Sequence, residues 1–174
     1  MFDGAFDFGI EGFRPEWRQG VRDLKHGHGH RLGALVGRPL TRTWLVWDLE
    51  EDRWFADCPV LLDFDGQRVE LVHNTFDDLS VTWSTIDPRR PVRWPGADFV
   101  REWRPDPLPE LQALCGSVLH RVELLEWTGP GPAHGNVEVS FVFPGGRIGV
   151  FNAMDENGLT FAPPLPELRV HGLE

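Results

Sequence analysis

The sequence predicts an α+β fold in which two tandem copies of one helix-plus-antiparallel-strand unit surround one core, related by a pseudo-two-fold axis. Three observations carry this expectation. A segment repeats at a fixed offset, apolar residues recur at helical spacing at the head of each copy, and turn signals punctuate period-two apolar runs behind them. Ala34–Leu45 lies over Ala113–Leu124 with six of twelve positions identical, an offset of 79 residues. The same offset returns where Phe64, Gly66, Arg68 and Val69 meet Phe143, Gly145, Arg147 and Ile148. After a one-residue slip, Leu79-Ser80-Val81 meets Leu159-Thr160-Phe161. Repeat 1 is read as about residues 15–86, a Pro- and Arg-rich linker as 87–106, and repeat 2 as about 107–170, all within one domain spanning 1–174.

Each copy reads as a helix followed by strands. In the first, Pro15-Glu16 suits a helix start, and Trp17, Val21, Leu24, His28, Leu32 and Leu35 keep helical spacing until Gly37. Gly27 and Gly29 each cost a helix roughly 1 kcal/mol, so a break into two short helices is expected there. In the second copy Pro109-Glu110 opens, Leu111 and Leu114 face inward, and Gly116 closes. Strands are expected over Leu40–Asp48 and Val118–Trp127. Val60-Leu61-Leu62 leads into an Asp65-Gly66 hairpin, and Val137, Val139, Phe141 and Phe143 share one strand face before Pro144-Gly145-Gly146 turns the chain. Trp94, Phe99 and Trp103 are expected to pin the linker to the core.

Composition narrows the function classes. A formal net charge of −10 argues against nucleic acid as a partner, because phosphate binding rests on clustered Lys and Arg. Lys25 is the one lysine beside sixteen arginines, with much Gly and Pro, a pattern that fits a GC-rich bacterial genome. The opening residues lack both a basic region and an apolar run, and no stretch reaches the ~20 apolar residues of a membrane helix, so a cytoplasmic protein without membrane attachment is expected. Cys58 and Cys115 are then read as free, buried thiols. Phosphate-cradling glycine loops, nucleophile elbows and His-Glu-x-x-His motifs do not occur.

Three groups could carry chemistry. His26-Gly27-His28-Gly29-His30 could hold zinc or another divalent metal, with His26 and His30 one helical turn apart. The competing reading is a helix break with surface histidines and His28 as a hydrogen-bonded core residue. An acidic and aromatic strip in the first copy comprises Trp44, Trp47, Asp48, Asp52, Trp54 and Asp57, with Glu50, Glu51, Asp63 and Asp65 beside it. It could engage a basic protein partner or a cation, or else be a solvated hairpin with tryptophans packed beneath. The second copy has Glu123 and Glu126 where the first has Trp44 and Trp47, so the fold does not require them. Finally, His73, Asn74, Asp77, Asn152, Asp155 and Glu156 could meet near the pseudo-axis as oxygen ligands or as acid–base groups, against a reading of both stretches as turns.

Trp44-Leu45-Val46-Trp47-Asp48, Asp57–Phe64 and Asn152–Gly158 resemble a small bacterial protein family of unknown activity, met mainly in actinobacteria. The resemblance implies a bacterial cytoplasmic setting and transfers no site residue. The expected function is a non-enzymatic binding protein of accessory or toxin-neutralising type, with no cofactor, using the acidic aromatic face. The alternatives are a small metal-dependent or acid–base enzyme using the histidine cluster or the carboxylates near His73 and Asp155, and a ligand-binding domain with a pocket between the copies lined by Trp44, Trp47 and Trp83.

Overall fold

In a computed structural model that describes residues 7–75, 77–93 and 100–173, the chain forms a mostly-β α+β protein with two antiparallel sheets and two short helices. The elements in order are β1 (Trp17–Gln19), α1 (Gly20–Gly33), β2 (Leu40–Asp48), β3 (Arg53–Trp54), β4 (Val60–Phe64), β5 (Gln67–His73), β6 (Asp78–Trp83), β7 (Arg101–Pro105), α2 (Pro109–Leu114), β8 (Arg121–Trp127), β9 (Val137–Phe143), β10 (Gly146–Asn152), β11 (Asn157–Thr160) and β12 (Leu168–His171). The larger sheet has seven strands, ordered β1-β6-β5-β4-β2-β3, with β7 also on β2. Trp44 pairs with both Leu61 and Pro105, and Trp47 with both Trp54 and Glu102, so β3 and β4 share one edge of β2 while β7 takes the other. The smaller sheet has five strands, ordered β11-β10-β9-β8-β12.

Side-chain alternation sorts the strand faces. Leu45, Val60, Leu62, Phe64, Val69, Leu71, Leu79 and Val81 join Val122, Leu124, Val139, Phe141, Ile148 and Val150 in one apolar cluster drawn from both sheets. Phe64 stacks against Phe141 and Phe143, with ring centroids 5.7 and 6.3 Å apart. Leu24, Leu32 and Leu35 from α1 and its exit, and Leu111 and Leu114 from α2, close the cluster. The opposite face of the larger sheet carries a second, smaller cluster of Val46, Cys58, Leu61, Ile86, Val92 and Trp103. The corresponding face of the smaller sheet is polar: a buried Arg147–Glu138 ion pair with Ser140 beside it fills the space over Gly149, where a Cβ would fall 2.1 Å from Glu138 Oε1.

Four backbone hydrogen bonds join the two halves where α1 and α2 hand over to β2 and β8. Gly37 N–H donates to Leu119 O at 2.9 Å, Gly116 N–H to Leu40 O at 2.7 Å, Leu40 N–H to Ser117 O at 2.9 Å and Leu119 N–H to Arg38 O at 2.9 Å. They flank a bridge between Pro39 and Val118. A second seam is built on Asn157, which is 1% exposed. Its Oδ1 accepts from His73 N–H at 2.7 Å, its Nδ2 donates to Cys58 O at 2.8 Å and its backbone N–H donates to Ala56 O at 3.0 Å.

Several expectations need correction. The first helix does not begin at Pro15-Glu16: Trp17–Gln19 is a strand on β6, and Gly20, at φ 78°, turns the chain into α1. The apolar residue at 17 matched helical spacing because one short strand and the following helix bury the same side. Gly27 and Gly29 do not break α1, which runs unbroken over its 14 residues. The stretch read as a linker contains β7, whose hydrogen bonds to β2 make it part of the sheet, with Trp103 buried. Trp94 and Phe99 lie outside the described residues. The expected strand over Leu40–Asp48 is found, the one expected over Val118–Trp127 begins at Arg121, Val60-Leu61-Leu62 and Val137 to Phe143 lie in strands, and Asp65 (φ 49°) and Gly66 (φ 88°) form the tight hairpin turn between β4 and β5.

Two consequences are measurable. Asn157→Ala leaves the buried His73 N–H and Cys58 C=O without partners, at about 1–3 kcal/mol each, and is expected to lower the urea midpoint strongly while leaving the m-value unchanged. Burial pushes the imidazole of His73 down to about 4, its Nε2 donating to Val150 O at 3.2 Å. The folded state therefore keeps it neutral while the unfolded state protonates near its ordinary value. That contribution to stability is full above about pH 6.5 and is lost as pH falls toward 4, about 3 kcal/mol in all. His73→Gln is expected to flatten the stability profile in that window.

Candidate ligand-binding cleft

Beside the β1–β6 edge of the larger sheet lies a cleft of about 480 Å³, lined by Gly12, Arg14, Glu16, Arg18, Gly27, His28, Arg31, Thr82, Trp83 and Thr85. This is within the ~300–1,000 Å³ range of small-molecule sites. Behind Thr82 and Thr85 lies Glu70 on β5, 1% exposed, which accepts four hydrogen bonds: Thr82 Oγ1 at 2.6 Å, Thr85 Oγ1 at 2.5 Å, Thr85 N–H at 3.0 Å and Ile86 N–H at 2.7 Å. The turn after β6 is thereby fixed, and Thr82 and Thr85 are held with their hydroxyl protons committed inward. Opposite, Gly12 (φ 81°) lets the N-terminal segment pass Thr85, whose carbonyl oxygen would lie 3.0 Å from a Cβ there. Glu16 N–H bonds Ser80 Oγ at 2.8 Å and ties the segment to β6.

The remaining wall comes from β1 and α1. Gly27, His28 and Arg31 share a helical face, since residues three and four apart are neighbours on it. Arg18 on β1 lies flat against this face: a Cβ on Gly27 would sit 2.4 Å from its guanidinium carbon. Asp23 in the first turn of α1 accepts from Arg18 Nη1 at 2.9 Å and from Gln19 N–H at 3.1 Å, and the Gln19 bond, with help from Arg18, holds its carboxyl below the usual range. Arg31 lies over the Trp83 ring, 4.6 Å from its centroid. Among the described residues neither Arg14 nor Arg31 meets a carboxylate.

His28 is 5% exposed, and its Nδ1 accepts the Trp83 indole N–H at 3.2 Å. Burial, reinforced by the neighbouring Arg18, lowers its pKa, so the ring is neutral at pH 7. With Nδ1 accepting, the proton of the neutral ring sits on Nε2. Nε2–H has no partner, and neither does the buried Nε–H of Arg18. Both atoms are buried within the wall of the cleft, where an unpartnered donor costs about 1–3 kcal/mol.

The other candidate residues are placed as follows. His26 and His30 are exposed while His28 is buried, so the cluster is split between solvent and interior. Among the described residues no three His, Cys, Asp or Glu side chains group as a metal site would need. Asp48 is buried and caps the β2–β3 turn, accepting from Glu50 N–H at 3.0 Å and Glu51 N–H at 3.2 Å. Trp47 donates to Asp52 at 3.0 Å, Arg104 covers the Trp47 ring at 4.9 Å and also reaches Asp52 at 3.7 Å, and Trp54 pairs in register with Trp47. Trp44 donates to Asp63 at 3.1 Å, and Arg68 grips both Asp63 oxygens at 2.6 and 3.1 Å. Asp57 is half-buried, and burial raises its pKa against the lowering influence of Arg101. The strip is split between the two faces of β2, with Trp44 beside Val46 on the outer cluster and Trp47 on the face of Leu45, and its Asp48, Asp52 and Asp63 are engaged by a turn and arginines. Trp44 and Trp83 line separate depressions.

His73 and Asn74 do meet the β10–β11 hairpin, where Asn152 Nδ2 donates to Asn74 O at 2.8 Å, while Asp155 and Glu156 remain exposed. Both cysteines are free: burial pushes the Cys58 thiol far up, and burial with the Asp106 carboxylate raises Cys115 to about 11. Neither is poised as a nucleophile. Arg14, Arg18 and Arg31 escaped the sequence reading. Their signal was a run of Arg14, Arg18, Arg22, Lys25 and Arg31 against only Glu16 and Asp23 between residues 14 and 31, in an otherwise acidic chain.

Comparisons with protein-family models, curated proteins and solved structures find no match for this chain.

The contact between Arg18 and Gly27 separates stability from site geometry. Gly27→Ala gains up to about 1 kcal/mol of helix propensity and displaces only the flexible end of Arg18. The variant is expected to melt no lower than the parent, with its Arg18 guanidinium moved out of the cleft in a crystal structure.

Proposed function

We propose that this chain is a non-enzymatic binding protein for a small anionic ligand, held in the arginine-lined cleft of its first half. The observation that carries the reading is a cleft wall in which Arg14 and Arg31 are exposed and, among the described residues, meet no carboxylate, with Arg18 beside them. Exposed guanidinium groups without carboxylate partners favour an oxyanion by charge and by hydrogen-bond geometry. A cationic concavity in a chain of net charge −10 also concentrates anions locally against the overall field. The cleft supports this better than the acidic strip supports a basic protein partner, because Asp48, Asp52 and Asp63 are already bound within the fold.

The reading of the chain as two copies of one unit belongs here too. In each sheet four consecutive strands form the same meander, β6-β5-β4-β2 and β11-β10-β9-β8. Adding 79 to one partner and subtracting it from the other converts the Gly37–Leu119 bond into the Gly116–Leu40 bond, and Leu40–Ser117 into Leu119–Arg38. Such exchange is what an isologous, two-fold contact produces. Gly37 (φ 88°) and Gly116 (φ 90°) share one backbone conformation, and Phe64 stacks on its counterpart Phe143. On this reading α2, at 6 residues, keeps what the core needs, whereas the longer α1 adds the cleft wall.

Thermal unfolding at constant ionic strength tests the binding reading. Inorganic phosphate or citrate at about a hundredfold its dissociation constant adds about 2.7 kcal/mol, which should raise the melting temperature by roughly 5–10 °C for a chain of this size. The double variant R14A/R31A, altered at two exposed side chains, is expected to melt like the parent without ligand and to lose the rise. An equal rise in the variant, or none in the parent, would reject the cleft as an anion site.

A further inference from the structure

We infer that the anion is a free amino acid with an acidic side chain, a proposal that rests on the anion-binding reading above and adds the ligand's chemical class. The charge balance of the cleft comes first. Arg14, Arg18 and Arg31 stand against Glu16 and against Asp23, which pairs with Arg18 at 2.9 Å, so one positive charge remains. Any monoanion satisfies that total, and the distribution of the charges is what selects among them. Arg18 and Asp23 compensate each other, which leaves the exposed side chains of Arg14, Arg31 and Glu16. Among the described residues none of these meets an opposite charge. Arg14, Glu16 and Arg18 alternate along the chain that leads into β1, and all of them line the cleft.

A simple carboxylate would engage one guanidinium and leave the other, with Glu16, uncompensated. A dicarboxylate would engage both and bring a second negative charge against Glu16. An acidic amino acid offers a carboxylate to each planar guanidinium fork and an ammonium group to Glu16, and its single net negative charge equals the balance of the lining. The uncharged groups favour the same ligand. Thr85 is exposed in the lining and gives its hydroxyl proton to Glu70 Oε1 at 2.5 Å, so its oxygen keeps only lone pairs for a ligand. Thr82 commits its proton to the same oxygen at 2.6 Å. An oxyanion finds no donor in these hydroxyls, whereas an ammonium group carries three donors and can share them between Glu16 and Thr85. A cleft of about 480 Å³ admits such a ligand together with bridging waters.

Calorimetric titration of the intact chain distinguishes this proposal from the broader one. The probes are L-glutamate, L-aspartate, glutarate, succinate, L-glutamine and inorganic phosphate, at equal ionic strength. Glutamate or aspartate is expected to bind tenfold or more tighter than glutarate or succinate, which lack the ammonium group. The same margin is expected over glutamine, which keeps the ammonium and has one carboxylate fewer. R14A/R31A should weaken every anion tenfold or more. Glu16→Gln changes an exposed side chain and leaves the backbone bond from residue 16 to Ser80 in place. It should weaken the amino acid while strengthening the dicarboxylate. If glutarate and succinate, glutamine or phosphate bind as tightly as the acidic amino acids, or if Glu16→Gln leaves the ratio of amino acid to dicarboxylate unchanged, the acidic amino acid is rejected and anion binding stands. Failure of every probe to bind, phosphate included, would overturn both readings together.

Discussion

The backbone exchange between residues 37–40 and 116–119 is the constraint on which the rest of the structure depends. Four N–H···O bonds of 2.7–2.9 Å join the two chain segments that lead from each helix into each sheet. They fix where β2 and β8 begin, and hence which faces of the two sheets confront each other. Phe64 on β4 then meets Phe141 and Phe143 on β9, and one apolar cluster closes from both halves. Glycine is required at 37 and 116 because both sit near φ 90°, a conformation in which a Cβ would strain the backbone. Asn157 serves the far end of the same interface, spanning from His73 to Cys58 where strand pairing does not reach.

That frame leaves the outer face of the larger sheet to be covered by other means, and the cleft is a product of how this is done. A second apolar cluster buries Leu61 and Val46 beneath residues that follow β6. Glu70 supports the turn that carries the chain there, with four donors for one carboxylate. The N-terminal segment is drawn across the same edge by Gly12 and Ser80. Between that segment, the turn and α1 a concavity remains, and the arginines that border it stand in a chain of opposite overall charge. Low local dielectric raises the cost of the unpaired Arg18 and His28 donors buried behind them.

The acidic strip shows the opposite arrangement. Its carboxylates organise the β2–β3 turn and bind Arg104, Arg68 and Arg53, while cation–π contacts seat Arg104 over Trp47 and Arg42 over Trp44. The exposed pair Arg53–Glu51 contributes little stability by itself, whereas Arg68–Asp63 is partly buried. Together these contacts lock Trp44 and Trp47, on opposite faces of β2, into surroundings whose charge is balanced locally.

The sequence by itself determined the strands and their turns, because strand alternation and turn chemistry are local. Leu40–Asp48 and Val137–Phe143 declared themselves by period-two burial, and Asp65-Gly66 by its left-handed turn. It also determined that His28 belongs inside, from its place in the apolar stripe of α1. Local pattern failed where one side of the molecule is buried by two kinds of element in succession: Trp17 fitted a helix and is in a strand. It failed again at β7, whose few residues acquire their structure from hydrogen bonds to β2 far away in sequence. Only the tertiary structure decided the cleft, because Arg14 and Arg18 lie before α1, Arg31 within it, and Thr82 and Thr85 some fifty residues later. Their convergence comes from long-range strand pairing at the β1–β6 edge, and no periodicity in the chain encodes which charges such pairing will bring together.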